Sequence, residues 1–513
     1  MSKKRRVIAF IALGMVSALL TVSVVALMRV ENVLERTAKN IDTITIDATY
    51  NHTDRTLEAT QLINYRNRSG MPKTQVMFHI WANAFREGAV HQPISAPEMN
   101  SLFPNGRDTF GDITIHGVYV AYQRVMHGII GEDENVLSVP LPRALMPNQY
   151  IDIEIIYTVR LAGLAHRLGY TDRVVNLGNF YPVPVMFDDG VWMTNVYSYN
   201  GDPFFNAVHN FHVTLTKPAN FIMASSGTVI KTTTSGATRT TVVESKAIRD
   251  WAAVLSPYLQ SLTRVVDRIA VNYYFLDDRN PARSLETSVR SLQTFSRLFI
   301  PYPFRQLTVV QTDFLHGGME FGEIVFISTS ITEREEIDRV IIHEIAHQWW
   351  YGIVGNDQYR TAWIDEGLAE YSTLLFYDEN PDMAPPPRPG SFAGFREDYI
   401  NMFRNNFATY TRLVHSIGGV VNTEMNRPLT AFNTTYEYVY MAYVRGMLLF
   451  VDLERMIGRD RMIVALSTFA RENMFGIATQ ASITEIFERK SGARLGLFFE
   501  SYLSGTVSLV PAA

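Results

Sequence analysis

The pentapeptide His343-Glu344-Ile345-Ala346-His347 narrows what this chain can fold into more than any other stretch of its 513 residues. Residues four apart share one face of a helix, so on a helix the two imidazoles can reach a single ion at roughly 2.0 to 2.1 Å, with Glu344 beside them to hold a water. The approach to the motif favours a helix. Thr332-Glu333-Arg334-Glu335 has the form of a capping box, and Ile337, Val340 and Ile341 recur at helical spacing, which places the motif mid-helix. A catalytic zinc site takes three protein ligands and leaves one position open, so a further carboxylate is needed. Glu366 follows His347 after eighteen residues, inside Trp363-Ile364-Asp365-Glu366-Gly367-Leu368-Ala369-Glu370-Tyr371, where another helical run begins and the spacing allows a turn and a return. The chain has no cysteine, so any metal must be held by histidine and carboxylate.

The remaining sequence divides into regions of different period. From about Ala48 to Ser245, β-branched and alternating runs such as Ile151 to Val159, Phe211 to Leu215 and Thr240 to Val243 are separated by Gly, Pro and Asn turns, an all-β signature. Within it, Phe180 to Phe205 reads as a long ordered loop, for which packing is favoured over a role as a cleft wall. After Trp251 strands at Ile269 to Leu276, Leu307 to Gln311 and Ile324 to Ser328 alternate with helical periods, and from Tyr436 to Lys490 helix predominates. Pro381 to Gly390 is too rich in proline for a regular element. The fold class expected is multidomain α+β: residues 48–250 a β-rich domain, 251–450 an α+β catalytic domain, and 451–513 a short helical tail.

The first 47 residues concern location. Val7 to Met28 is 22 residues without a charge behind Lys3, Lys4, Arg5 and Arg6, about 33 Å as a helix and enough to cross a bilayer core. No Ala-x-Ala site follows before Arg29, which favours an uncleaved anchor over a signal peptide whose removal would give a secreted form. The basic tip then lies in the cytoplasm and everything beyond the anchor lies outside, with residues 29–47 as a polar stalk. With 46 Lys and Arg against 51 Asp and Glu, and four of those cations in the tip, the body is acidic. A nucleic-acid partner is therefore not expected.

The motif set resembles the aminopeptidase N-type zinc metallopeptidases, gluzincins related to leukotriene A-4 hydrolase. Besides His343-Glu344-x-x-His347 and Glu366, Gly317-Gly318-Met319-Glu320 matches the family's Gly-x-Met-Glu substrate motif, and Tyr443-Val444-Arg445-Gly446 is similar to its Tyr-x-Lys-Gly segment. The resemblance covers roughly residues 48 to 450. It implies a thermolysin-like catalytic domain with one Zn2+ per chain, held by His343, His347 and Glu366. Glu344 would be the general base toward a zinc-activated water and then the proton donor to the leaving amine. Tyr443 would stabilise the oxyanion, with Tyr440 in reserve. Glu320 would pair with a substrate's α-ammonium, and Gly317, Gly318 and Met319 would lie along the peptide as an edge strand.

Two positions depart from the family pattern. Phe321 stands where many members have Asn, and Arg445 replaces the usual Lys. The expected activity is removal of N-terminal residues from peptides or protein N-termini. The alternatives are an endopeptidase or oligopeptidase using the same zinc site, and a non-catalytic membrane-anchored binding module.

Overall fold

The computed structural model describes residues 26–95, 98, 110–386, 394–507 and 509. The expected membrane anchor lies almost entirely outside them. Among the described residues no helix is long and apolar enough to cross a membrane.

The β-rich half is built on an eight-stranded sheet in the order Thr228–Ser235, Thr238–Ile248, His209–Pro218, Thr43–Asn51, Thr56–Arg66, Tyr150–Arg160, Asp112–Val120, Gln123–Val125. Alternation drives it. In Thr43–Asn51 every second residue, Ile44, Ile46, Ala48 and Tyr50, is buried while Thr45, Asp47 and Thr49 face outward to varying degrees, the pattern of a sheet with one face on a core. Smaller sheets close over that face, and the β-rich region continues to Ala253–Ser256, which pairs with Ile222–Ser225 beyond the expected boundary at 250.

Residues 29–47 are not a free spacer. Residues 26–38 are helical and Thr43 already begins a strand. Val30 and Leu34, four apart, are buried against the body, and Glu31 pairs with Arg305 at 3.0 Å and Glu35 with Lys246 at 2.7 Å. Val33 and Ile41 pack partly against the same core, so the contact is apolar with exposed ion pairs at its rim.

The second half rests on a five-stranded sheet ordered Gln260–Val266, Ile269–Phe275, Gln306–Thr312, Ile324–Ser328, Gly318–Met319. Its central pairs are parallel and the outer ones antiparallel. Gln306–Thr312 is buried at every position, as parallel strands covered on both faces are. Helix α1, Pro281–Leu298, makes the crossover between the first parallel pair. It starts on Asn280, whose side chain accepts from the Arg283 N–H, with Pro281 at the first turn. Further helices include α2 Arg334–Ala346, α3 Asp365–Glu379, α4 Phe395–Ser416 and, after one turn at Thr435–Val439 and a π-helical turn Tyr440–Arg445, α5 Gly446–Ile457, followed by Arg459–Glu472, Gln480–Ser491 and Gly496–Leu503. Helix α5 runs across the expected 450/451 boundary without a break.

The two halves meet through buried polar groups. Glu323, between the edge strand and its neighbour, is buried and its pKa is pushed up to about 8 by that burial, against the smaller opposing pull of Ser245 and the Gly227 backbone of the β-rich half. The folded state therefore holds this proton more tightly than the unfolded one. Its stabilising contribution is complete below about pH 4.5 and is lost as pH rises through about 8. Glu323→Gln is expected to flatten the fall in melting temperature between pH 5 and 8.5, a difference of up to a few kcal/mol, read by calorimetry at both pH values.

Candidate active site

The motif helix begins one residue later than a capping box would require. Glu333 is the N-cap and its side chain makes no capping bond. Arg334 instead fixes the start, bonding Asp338 at 2.8 Å and Ser284 Oγ at 3.0 Å, while Glu335 and Glu336 lie in the first turn, where the helix dipole favours acids. The helix ends at Ala346 with His347 as its C-cap, so the motif occupies the last turn rather than the middle. That end carries the negative pole of the helix dipole and suits a cation.

Three donor atoms converge there. His343 Nε2 and His347 Nε2 are 3.1 Å apart and lie 3.3 and 3.2 Å from Glu366 Oε2. A tetrahedral zinc with bonds of 2.0 to 2.1 Å sets its ligands about 3.3 to 3.4 Å apart, so the three atoms already form one face of that tetrahedron. The tautomer agrees, because His347 Nδ1–H donates to the Trp350 carbonyl at 2.9 Å and leaves Nε2 a lone pair. All three residues are buried. Burial opposes charge on the imidazoles, but Glu370 and Glu366 hold His343 up to about 9, and Glu366 also holds His347 well above the usual imidazole value. Burial works against ionised Glu366, yet the histidines hold it down to about 2. The charges of the three donors thus depend on one another, and a metal held by them would displace the imidazole protons.

A second triad, Glu320, His347 and Asp365, is explained without a metal. The Gln358 amide donates to Glu320 Oε1 at 2.8 Å and to Asp365 Oδ2 at 2.7 Å.

Helix α3 delivers Glu366 from its first turn, and a close crossing delivers Tyr443. A Cβ on Gly367 would meet the Gly446 carbonyl carbon at 2.8 Å and its Cα at 2.9 Å, so the two backbones touch. This approach lays Tyr443 over the site. Its hydroxyl donates to Glu366 Oε1, and its ring stacks on His343 at 5.7 Å and 12°. Burial and Glu366 push its pKa well up, so the hydroxyl keeps its proton. Tyr440 stacks instead on Tyr410 at 4.3 Å and does not enter the site. Arg445 is wholly buried and donates to the Tyr502 and Val507 carbonyls, tying the final helix Gly496–Leu503 to this turn.

Gly318–Met319 is the edge strand of the five-stranded sheet, paired only on one side among the described residues. Any side chain at Gly318 would collide with the Glu344 carboxylate, so strand and motif helix are in direct contact. Gly317 and Gly318 line a cleft of about 540 Å³ that also takes in His343, Glu344 and Tyr443. Met319 points into the core, while Glu320, two residues after Gly318, turns back toward His347 and Asp365. Burial and the neighbouring Asp202 push the Glu320 pKa well up. Glu344 is held at about 7, again first by burial. Phe321, the departure from the family pattern, is fully buried, with its ring filling the space a side chain at Gly178 of the β-rich domain would need.

The sequence left two contributors undecided: the loop to Phe205, read mainly as packing, and Glu370, for which orienting a ligand histidine and lying exposed on its helix were equally open. The loop expected mainly to pack does both jobs: Phe180 and Tyr181 are core, but Ser198 to Asp202 form a wall of the cleft, with Asp202 ion-paired to Arg167. Glu370 is the stronger case. It lies one turn after Glu366, is buried, and places Oε1 3.4 Å from His343 Nδ1 and 3.1 Å from Arg339 Nη1. A carboxylate on the far nitrogen of a metal-binding imidazole orients it and raises its basicity. Glu370→Gln is expected to weaken zinc retention roughly 10- to 100-fold, measured by competition with a chelator; unchanged retention removes Glu370 from this role.

Comparison with known proteins agrees with this geometry. Residues 283–502 match the peptidase family M1 domain. The chain is 22% identical over 309 residues to Aminopeptidase M1-B of Oryza sativa subsp. japonica, covering 57% of this chain and 33% of that protein. It is also 22% identical over 234 residues to Aminopeptidase N of Lactococcus lactis subsp. cremoris, covering 43% and 26% respectively. The chain thus spans about a third or less of these curated relatives. The M1 zinc metallopeptidase from Deinococcus radiodurans superposes with a TM-score of 0.62 at 17% identity, over 91% of this chain and 94% of that one; a mutant of it has been solved with a Tyr-Ser-Ala substrate. Residues 283–502 therefore carry a peptidase family M1 domain, similar to the aminopeptidase N-type zinc metallopeptidases, and zinc is the cofactor the three donors fit.

Proposed function

We propose that the protein is an aminopeptidase that removes residues one at a time from the free N-terminus of peptides or proteins. The observation that carries this reading is the position of Glu320: a buried carboxylate at the end of an open edge strand, beside Asp202 and within 4.8 Å of a zinc-binding histidine. Carboxylates crowded in a low-dielectric pocket repel one another, and an entering α-ammonium relieves that repulsion. The amine end of a peptide is thereby held at a fixed distance from the reacting bond.

The other residues follow in order. The free edge of Gly318–Met319 offers backbone groups to an extended peptide. Zinc, when bound, lowers the pKa of a coordinated water toward about 7 and polarises the scissile carbonyl. Glu344, held near neutrality and fixed against Gly318, accepts the proton of the attacking water and returns it to the departing amine. Tyr443, kept protonated, donates to the oxygen on which negative charge develops.

The deciding experiment compares one peptide series with free and with acetylated N-termini, followed by mass spectrometry. Stepwise trimming of the free series alone is expected. Internal cuts in acetylated peptides would make the protein an endopeptidase with the same site; zinc-loaded protein that cuts neither would be a binding module.

The protein is also proposed to be held in a membrane by Val7 to Met28, with the peptidase outside the cytoplasm. The uncharged run behind four basic residues supports this. Membrane fractions washed with alkaline carbonate should retain a chain of full mass, and recovery of a shortened soluble form would overturn it.

A further inference from the structure

The cleft does not end at the zinc ligands. Its far wall is helix α4, through Met402, Phe403 and Asn406, with Thr435 and Val439 opposite. At 100° per residue, Met402, Asn406, Tyr410, Leu413 and Ile417 fall in one stripe about 80° wide. Ile400, Phe403 and Phe407 anchor the helix to the core, so the stripe begins in the cleft and runs outward. Tyr410 is stacked on Tyr440, and beyond it Leu413, Ile417 and Val420 are 62%, 79% and 89% exposed.

This exposure is built into the fold. The end of α4 is closed by bonds from Gly418 N–H to the His415 carbonyl and from Gly419 N–H to the Val414 carbonyl, with Gly418 at φ 78°. Thr423 Oγ1 bonds the Gly505 carbonyl at 3.0 Å. Ile417 and Val420 therefore stand on a tied turn.

Acidic groups crowd the amine end, at Glu320, Glu344, Glu366 and Asp202, whereas Tyr399 to Thr423 contains no acidic residue; its exposed Arg412 and His415 lie on other faces of the helix and leave the stripe itself uncharged. A peptide's positive N-terminus matches the acidic end, and an uncharged downstream stretch matches the stripe. From Met402 to Ile417 the stripe is about 22 Å long, the reach of about seven extended residues.

We propose that the exposed face of α4, with Leu413, Ile417 and Val420 at its outer end, is an exosite for the downstream, apolar part of long peptide substrates. It rests on the cleft being the peptide-binding cleft, and it adds a preference for peptides of roughly ten residues or more with apolar side chains well beyond the cleaved bond.

The test uses the full chain in mild detergent and two free-amine substrates: a dipeptide amide, too short to leave the cleft, and a twelve-residue peptide with leucines at positions six to ten. Leu413→Ser, Ile417→Ser and Val420→Ser together should raise KM for the twelve-residue peptide about tenfold and leave dipeptide hydrolysis unchanged. With the leucines replaced by serine, the twelve-residue peptide should no longer distinguish the variant from the parent. Equal effects on both substrates, or none, overturn the exosite. So does a change of mass in solution without a change in peptide kinetics, which would make this face a contact between two copies. A benzophenone at position eight provides a reading on the unaltered protein: crosslinks to residues 410–420 support the proposal, and crosslinks elsewhere refute it. Failure of the parent to cut even the dipeptide would instead refute the peptidase reading.

Discussion

Glu344→Gln is expected to lower kcat by about 10² to 10⁴ while zinc stays at one per chain. The amide keeps the shape of the side chain and can still hold a water, but it cannot take a proton, and general base catalysis contributes about 10² to 10⁴. Glu344 is not among the three converging donors, so metal content by mass spectrometry should not move. The parent should also lose activity on the acid side. Burial holds Glu344 at about 7, so as pH falls through neutrality the carboxylate gains a proton and the base disappears. Activity therefore rises from pH 5.5 to 8, and the small residue left in Glu344→Gln should not follow that curve. Undiminished activity in the variant would sink the mechanism.

Tyr443→Phe is expected to cost about 10² to 10³ in kcat, the scale for removing one oxyanion donor, with KM for short substrates nearly unchanged. The ring remains to stack on His343, so only the hydroxyl is lost. Because the pKa of Tyr443 is pushed well up, ionisation of this residue does not account for any fall in parent activity near pH 9. A large rise in KM with kcat intact would instead assign Tyr443 to substrate binding.

The three converging donors were legible because their spacing is local: a four-residue repeat on one helix face, and a carboxylate opening the next helix. The sheet strands were legible for a similar reason, since Ile324–Ser328 is a short β-branched run that one period describes. Asp202 was not, because its partner Arg167 and the cleft it faces come together only after the β-rich domain folds. Glu370 stood at a visible spacing from Glu366, but sequence cannot tell an exposed helical glutamate from one turned inward onto His343. The missed start of α2 has the same origin, since Arg334 answers to Asp338 and Ser284 rather than to its neighbours in a capping pattern. The helix over 26–38 escaped because its few apolar residues, Val30, Val33 and Leu34, look too few until the core they pack against is assembled.

The crossing of Gly367 and Gly446 has a consequence for anyone surveying substitutions in this protein. Neither residue touches a substrate, yet each holds two backbones at a separation that no other amino acid permits. Even alanine there should act as a wedge, lifting the Tyr443 hydroxyl from Glu366 while the fold and its zinc survive. In a map of mutational sensitivity both glycines should score beside the ligands themselves, and a reader of that map would mark as chemical two positions whose whole contribution is the absence of a methyl group.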